Sequence, residues 1–560
     1  MKPTRILTGL LLAVLACGSS STNRKVGPKT GPDTNVVDDD PSNAPQTCDQ
    51  AAKAGSYIGC EYWPTITMNP LVDPVFDFAV DIVNVGPVAA SVKVDGPQGT
   101  SEETTVASGE ISKIYLPWVD ALKGSEDTAM TSGLVRGGAF HLVSDQPVVV
   151  YQFNAIEYAP QGGPAGKKWD CTPREDGNDC FSYTNDASLL FPTSALSTSY
   201  RLSGFPAVQG GGPGFVSVTA AQDDTTVTVK LGSIAGTLAS TDGKVKAQSG
   251  GGSSVKYTLS AGDVLQLASA PGKDLSGSLV GSDKPVQVIS GHSCANVPTD
   301  FGACDHLEEV VLPAEALGKR YVVATPTPPV AKAAAGHVVR FVGNVDGTKL
   351  TYSPSRPPGC PTTLDAGEVA ECNDPSGDLD FLGQPMDATS IVKKSFVVEG
   401  DNEFSVSTYL VGQFYLYFSD MQRCALILDP DQQADCIKND SSGKARTGDP
   451  SQTLVLPSEQ FRSNYVFLAP DDYQNNFLDV TMEEGTELTL DGNVVTESFE
   501  TVAGTSGVVR IKLDGGKDGA HTLSATAPVG IQVFGFGSFT SYAYPGGGDL
   551  RKIAPPPQIN

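Results

Sequence analysis

The residues best suited to chemistry are two histidines and two cysteines in the run His292-Ser-Cys294 … Cys304-Asp-His306. Two imidazoles and two thiolates form a set that Zn²⁺ binds tetrahedrally, so the spacing allows a zinc site. The same cysteine spacing recurs elsewhere in the chain without histidines, as disulfides require. We therefore predict no metal and no cofactor, and His292, Cys294, Cys304 and His306 remain weak zinc candidates.

Acidic clusters are a second kind of candidate, because clustered carboxylates can bind Ca²⁺. One cluster contains Asp429, Asp431 and Asp435, and the other contains Asp374, Asp378 and Asp380. Neither has the alternating ligands and closing glutamate of a calcium loop, which favours solvated loops.

Catalytic motifs are missing from the sequence. It contains no G-x-S-x-G nucleophile elbow, no H-E-x-x-H motif and no phosphate-binding glycine loop. Single carboxylates are too numerous to pair by inspection, so a glycosidase stays open. We predict a non-enzymatic protein without catalytic residues, and a polysaccharide hydrolase is the alternative.

The first seventeen residues are typical of export. Residues 1–16 carry Lys2 and Arg5, followed by an apolar run too short to span a bilayer. The residues Val14-Leu15-Ala16 before Cys17 resemble the bacterial lipobox, which predicts lipidation of Cys17 after removal of the signal peptide. An ordinary secretory peptide is the alternative. We expect a lipid-anchored location in a bacterial cell envelope, at the outer membrane or the cell surface.

The other ten cysteines lie in close pairs, nine to twelve positions apart. The pairs are Cys48/Cys60, Cys171/Cys180, Cys294/Cys304, Cys360/Cys372 and Cys424/Cys436. An even number of close cysteines in an exported chain predicts five local disulfides, although the sequence cannot fix the connectivity.

The charge of the chain argues against nucleic acid as a partner. Without residues 1–16, the chain has 36 basic and 64 acidic residues, a net charge of −28. Residues 17–47 are rich in Ser, Thr, Asn, Pro and Asp, which predicts a disordered tether. No later run is long and apolar enough to predict a transmembrane helix.

An internal repeat organises the rest of the chain. Three copies open at Pro192, Pro313 and Pro457, and a tyrosine follows eight residues later, at Tyr200, Tyr321 and Tyr465. Alternating apolar stretches around Asp or Gly turns come next and predict β-hairpins. The copies close on Ser-Asp-x-Pro-Val, at 144–148 and 282–286, or on a looser version at 527–529. A first copy opens near Trp63-Pro64.

Four copies of about 100 residues predict an all-β fold of four tandem β-sandwich-like repeats. A β-propeller is the alternative, but its blades repeat every 40–50 residues, a period that we do not find. Four cysteine pairs precede an opening proline and would staple the joints between domains. The predicted segments are 1–16 signal peptide, 17–47 tether, repeats 48–160, 161–297, 298–420 (with an insertion) and 421–548, and a flexible tail at 549–560.

The motifs at these joints carry a family resemblance. The blocks are Gly291-His-Ser-Cys294-Ala-Asn-Val-Pro298, Ala303-Cys-Asp-His-Leu-Glu-Glu309 with Leu312-Pro313, and the opening Asp186-Ala-Ser-Leu-Leu-Phe-Pro192. With them, residues 56–545 resemble the bacterial IgGFc-binding protein N-terminal domain family. The resemblance implies extracellular binding or adhesion, but it assigns no ligand-binding residues.

We therefore expect a lipid-anchored, adhesin-like envelope protein that binds an unidentified extracellular protein or glycan. A polysaccharide hydrolase and a purely structural envelope component are the alternatives.

Overall fold

The computed structural model describes most of the chain from residue 45 onward. The described residues are 45–125, 130–171, 180–207, 212–299, 302, 304–329, 336–373, 390–416, 429, 432, 447–513 and 519–557. Residues 41–560 form one compact unit. The predicted all-β class is confirmed, since the structure is 49% strand and 6% helix, in several sheets built from units of about 100 residues, with no propeller indicated.

The first sheet has seven strands. They are β1 (Gly59–Tyr62), β2 (Phe78–Asn84), β3 (Ala90–Asp95), β4 (Ser101–Val106), β5 (Ile111–Leu116), β7 (His141–Asn154) and β8 (Asp186–Leu189), and β6 (Gly133–Val135) joins the second sheet. The order is β4-β3-β7-β2-β5, with β1 and β8 also paired to β7.

The second sheet has eight strands. It contains β9 (Ser197–Arg201), β10 (Gly214–Ala220), β11 (Thr225–Lys230), β14 (Ser254–Leu259), β15 (Val264–Ala268), β16 (Leu279–Ala295) and β17 (Asp305–Val310), together with β6. The order is β14-β11-β16-β10-β15-β6, and β9 and β17 also pair with β16. A separate two-stranded ribbon contains β12 (Gly236–Thr237) and β13 (Gln248–Ser249).

The third sheet also has eight strands. They are β18 (Gly318–Val323), β19 (His337–Gly343), β20 (Thr348–Ser353), β21 (Thr363–Leu364), β22 (Val369–Glu371), β23 (Ile391–Val392), β24 (Phe396–Leu410) and β25 (Ser451–Val455). The order is β21-β20-β24-β19-β22, with β18 and β25 paired to β24 and β23 paired to β19.

The fourth sheet completes the series. Its strands are β26 (Arg462–Ala469), β27 (Asn475–Glu483), β28 (Leu488–Leu490), β29 (Asn493–Val494), β30 (Phe499–Ala503), β31 (Ser506–Lys512), β32 (Gly519–Gly537) and β33 (Thr540–Pro545). The order is β29-β28-β32-β27-β31-β30, and β26 and β33 pair with β32.

Helices are short. They are α1 (Cys48–Ala54), α2 (Asp120–Lys123) and α3 (Gln413–Leu416), with 3₁₀ turns at Pro97–Gly99, Thr193–Ala195, Ala314–Ala316 and Ser458–Gln460. α1 begins where the Thr47 hydroxyl accepts the amide of Gln50, and it ends at Gly55, whose φ is +60°. In the part of the chain described above, no helix has the length and apolarity to cross a membrane.

One long strand organises each sheet: β7, β16, β24 or β32. In the second sheet, residues 279–282 of β16 pair with β11 and β9, and residues beyond the closing motif pair with β10 and β17. The other three long strands divide in the same way. The closing motif therefore marks a corner, where the long strand leaves one pair of partners and joins another.

The predicted hairpins are wrong, although the strands that were assigned to them are present. β10 and β11 both pair with β16, which lies between them, and β19 and β20 flank β24 in the same way. Alternating apolar residues around a turn predict two strands and a reversal of chain direction. They cannot predict that a third strand, distant in sequence, lies between the two and pairs with both.

A short side chain stabilises each corner, and in the first two sheets it is the aspartate of the closing motif. Asp145, Asp283 and Asp401 each accept a backbone amide at the start of the neighbouring strand, from Ser91, Thr226 and Lys349 at 2.7, 2.7 and 2.8 Å. In the fourth sheet, the Thr526 hydroxyl accepts the amide of Glu487 at 2.9 Å. Because short acceptor side chains satisfy backbone donors at strand ends, these four side chains help to fix the corners.

The four sheets share one centre. β8, β17, β25 and β33 contact one another in a cycle, each packing against two of the others. One apolar core extends from Tyr57 to Leu550 and includes residues of all four sheets. The first and last sheets are joined directly, since the rings of Tyr151 and Tyr544 lie 4.7 Å apart.

Candidate functional site

The predicted histidine–cysteine cluster does not converge. Cys294, in β16, is joined to Cys304 by a disulfide, which leaves no thiolate to bind zinc. The Nδ1 of His292 accepts the amide of Cys294 at 3.1 Å, whereas the Nε2 of His306 lies 3.1 Å from the Thr67 hydroxyl. Among the described residues, no group of three or more His, Cys, Asp or Glu side chains could hold a metal ion.

Three further disulfides are present in the described chain. They join Cys48 to Cys60, Cys171 to Cys180 and Cys360 to Cys372. The first ties α1 to β1, and the last lies buried in the core of the third sheet. Cys17, Cys424 and Cys436 lie outside the described residues.

The candidate calcium clusters fall mainly outside the described residues. Asp374, Asp378, Asp380, Asp431 and Asp435 belong to the segments that the structure does not describe. The Asp429 carboxylate accepts the amide of Gln432 at 3.0 Å, as in a capped turn.

A buried polar cluster lies where the four central strands meet. The carboxylate of Asp186 in β8 accepts the Ser451 hydroxyl at 2.7 Å and the amides of Gln452 and Glu308 at 3.1 and 3.0 Å. Asp186 therefore connects β8 to both β17 and β25. The sequence showed this residue as part of an opening motif, but it gave no signal that three strands would meet there.

The cluster also holds the first sheet against the second. Glu308 accepts the Thr67 hydroxyl at 2.6 Å and the side-chain amide of Gln152 at 3.0 Å. Asp305 accepts the amide of Asn185 at 2.5 Å. Each of these bonds links a residue of β17 to the first copy or, through Asn185, to the residue that precedes β8.

Burial changes the protonation of this cluster. It raises the pKa of Asp186, Asp305, Glu309 and Asp449 well above the ordinary carboxyl range, and neighbouring carboxylates add to the effect at Asp305 and Glu309. Among the described side chains, no lysine or arginine forms a salt bridge with any of the four. Glycoside hydrolysis needs carboxyl groups beside the scissile bond, which these fully buried groups cannot reach.

The two carboxyl groups whose pKa values burial raises to about 7 lie near the joint between the first and fourth sheets. Burial raises the pKa of Asp81 to about 7, and Lys113 opposes the shift. Burial also raises the pKa of Glu157 to about 7. Lys167 contacts Glu157 at 3.2 Å, and both carboxyl groups are buried. These groups are therefore also closed to a polysaccharide.

An open cleft of about 720 Å³ lies between the second and third sheets. We call it the Arg201 cleft. Arg201 forms part of its floor, one wall comes from the turn after β11, and the other comes from turns of the third sheet. Its lining residues are Arg201, Lys230, Leu231, Gly232, Ser233, Ile234, Gly252, Gly277, Leu279, Asp346, Asp365, Ala366, Gly367, Glu368 and Val369. Its volume falls in the range of ligand sites.

The guanidinium of Arg201 is only partly satisfied. Its Nη1 donates to the carbonyl of Gly277 at 2.9 Å, while its Nε is buried without a hydrogen-bond partner. Among the described residues, no carboxylate lies within salt-bridge distance of Arg201. Burial lowers the pKa of Arg201, which remains a cation at neutral pH.

Comparison with known proteins identifies a family. A family model described as "IgGFc binding protein" matches residues 186–535. The human protein named IgGFc-binding protein is 34% identical over 189 residues, which cover 34% of this chain and 3% of the human protein. This chain thus matches a small part of that relative's length.

Solved structures add no argument about the fold. A mutant of the major pilin from Streptococcus pyogenes aligns with 10% identity and a TM-score of 0.08, covering 61% of this chain and 98% of the pilin. A tetra-tandem repeat from the extending region of a large adhesion protein aligns with 11% identity and a TM-score of 0.08, covering 86% and 98%.

Proposed function

The chain belongs to the IgGFc-binding protein family, and on that premise we propose that it binds an extracellular protein and is not an enzyme. The observation that carries the proposal is the family match over residues 186–535, more than half of the chain. The burial of the carboxyl groups with raised pKa values supports it, because an acid–base catalyst must contact the bond that it cleaves.

The proposal includes an adhesin-like role at a bacterial surface. Cys17 would carry the lipid anchor, and residues 18–47 would hold the folded unit away from the membrane. The support is the lipobox-like sequence before Cys17 together with the polar composition of the tether.

Metabolic labelling tests the anchor. Bacterial cells that express the chain are grown with a labelled fatty acid. The wild-type protein should incorporate the label, and the Cys17→Ser variant should not. Equal labelling of the two proteins would remove the anchor from the proposal.

An array experiment tests the binding function. The purified, oxidised chain is applied to an array of extracellular proteins, which includes an IgG Fc fragment because of the human relative's name. It is also incubated with polysaccharides, and released sugars are measured. We expect saturable binding to a protein and no release of sugar. Release of sugar without binding to any protein would instead establish the hydrolase alternative.

A further inference from the structure

We propose that the Arg201 cleft binds a carboxylate side chain of the partner protein, on an exposed segment that also carries a basic residue. This inference rests on the proposed protein-binding function, and it adds the chemistry that the partner must present and the place where it binds.

Arg201 in the floor of the cleft has no carboxylate within salt-bridge distance among the described residues, although the charge of Asp346 across the cleft raises its pKa and partly offsets burial. Arg201 keeps one buried donor, Nε, without a partner, and only its Nη1 is used, by the carbonyl of Gly277. A guanidinium presents its donors in a planar fork that matches a carboxylate. Because Arg201 lines the open cleft and gives only one donor to the chain, its guanidinium is suited to receive a carboxylate from outside the chain. Lys230 on the same side adds a second positive charge.

The opposite wall has the opposite charge. Asp346, Asp365 and Glu368 are exposed there, at the tips of two turns of the third sheet. The Asp365 carboxylate accepts the amide of Gly347, and Asp346 accepts the amide of Ala366, so the turns hold these groups in place. A ligand with a basic residue near its acidic one would match both walls, whereas a purely anionic ligand would meet repulsion at the rim.

The remaining lining favours a peptide over a sugar. Ile234 is 45% exposed at the rim, beside the buried Leu231 and Leu279. None of the described lining residues is aromatic, so the cleft has no flat face on which a sugar ring could stack. An apolar side chain next to the acidic residue of a protein segment can instead cover Ile234.

The floor is held in place by the close approach of two glycines. Gly277 and Gly367 have φ angles of +77° and +79°, and a Cβ on Gly277 would lie 2.1 Å from the carbonyl oxygen of Gly367. The turns of the second and third sheets can meet this closely only with glycine at both positions. The position of Arg201 relative to the acidic wall is thus set before a ligand binds, which lowers the cost of binding.

Peptide titrations test the cleft on the full oxidised chain. The probe is acetyl-Glu-Ile-Lys-amide, and its matched control is acetyl-Gln-Ile-Lys-amide. We expect the glutamate peptide to bind saturably and at least about tenfold more tightly than the glutamine peptide, because the latter lacks the charge for Arg201. Glucuronic acid, titrated in parallel, represents a sugar carboxylate.

Three variants locate the binding. Arg201→Gln should abolish the preference for the glutamate peptide. Ser233→Trp, at an exposed rim position, should block both peptides by filling the cleft without disturbing the core. Lys256→Gln removes one positive charge from β14 of the same sheet, outside the cleft, and should bind like the wild type.

The outcomes separate this inference from the broader function. Equal binding by the wild type and Ser233→Trp, no binding of the glutamate peptide at millimolar concentration, or tighter binding of glucuronic acid would each overturn it. If an extracellular protein binds the wild type and Ser233→Trp equally, the function stands and the cleft assignment fails. If the peptide binds in the cleft but no protein binds the chain, the protein-binding function fails while the carboxylate site stands.

Discussion

Four buried tyrosines hold the corners of the four long strands. The hydroxyls of Tyr62, Tyr200 and Tyr465 donate to the carbonyls of Val148, Val286 and Val529 at 2.6, 2.7 and 2.5 Å, and Tyr321 donates to Phe404. The hydroxyls of Tyr200, Tyr321 and Tyr465 also each accept a hydrogen bond from the backbone amide three residues earlier in the chain. Each hydroxyl thus bridges an edge strand to the corner.

The sequence identified three of these tyrosines but not the fourth. Tyr62 precedes Pro64 instead of following it by eight residues, so the spacing used to find the repeat fails in the first copy. A longer spacing would have found it, because Tyr62 and Tyr200 both lie 82 residues before the serine of their closing motif. The hydroxyl bond itself could not be predicted, since it depends on a strand distant in sequence.

We predict that Tyr321→Phe lowers the free energy of unfolding by about 1–3 kcal/mol, since it removes both hydrogen bonds of the hydroxyl, to the carbonyl of Phe404 and from the amide of Gly318. Tyr257→Phe is the matched control, because the Tyr257 hydroxyl is buried without a partner. That control should change stability by less than about 0.5 kcal/mol in denaturant unfolding. Equal losses in the two variants would contradict this role of the tyrosine.

At the scale of elements, local patterns predicted the strands but not their neighbours. The alternation in 215–231 correctly placed β10 and β11, with the reversal at Asp224, whose φ is +53°. It could not show that β16 separates them, because that pairing joins residues 49 to 78 positions apart. The meeting of β8, β17, β25 and β33 was invisible for the same reason.

The disulfide between Cys294 and Cys304 joins the end of β16 to the start of β17. The double variant Cys294→Ala, Cys304→Ala should lose about 3 kcal/mol of unfolding free energy, since the bond closes a loop with a sequence separation of 10 in the unfolded chain. Denaturant titration of the oxidised proteins measures the loss. A change below about 1 kcal/mol would show that the strand pairing holds this connection without the bond.

At the scale of the whole molecule, acidic groups buried at the centre and near the joint of the first and last sheets make stability depend on pH. Burial raises the pKa of Asp81 and Glu157 to about 7 and raises the pKa of Asp186, Asp305, Glu309 and Asp449 further. The folded state therefore binds more protons than the unfolded state above pH 4, and stability falls as pH rises through the folded pKa values.

Two buried histidines act in the opposite direction, but only in acid. Burial lowers the pKa of His292 to about 4 and that of His337 to about 3. The unfolded state binds their protons below about pH 6.5, so they reduce stability as pH falls below that value. Above it, the carboxyl groups act alone.

We predict that the Tm falls between pH 6.5 and pH 8 at constant ionic strength. Asp81→Asn should reduce the slope of the unfolding free energy against pH by up to about 1.4 kcal/mol per pH unit near pH 5–7, because it removes one proton that the folded state binds more tightly than the unfolded state. Glu103→Gln, at an exposed position, changes the charge equally and should leave the slope unaltered. A Tm that rises across this interval would contradict the protonation of the buried cluster.

The shared centre makes residues 41–560 one compact unit, with a single Arg201 cleft between the second and third sheets. Although the four copies are alike in strand plan, the arginine, the lysine and the acidic turns of this cleft come from the second and third copies only. A partner that binds there should occupy one site for each chain and not one site for each repeat.

The most direct measurement is a calorimetric titration of the full oxidised chain with the extracellular protein that binds most tightly on the array. We predict saturable binding, about one partner molecule for each chain, and a negative heat-capacity change from burial of apolar surface. Absence of saturable heat with every extracellular protein tested, together with sugar release from a polysaccharide, would contradict a non-enzymatic protein-binding function.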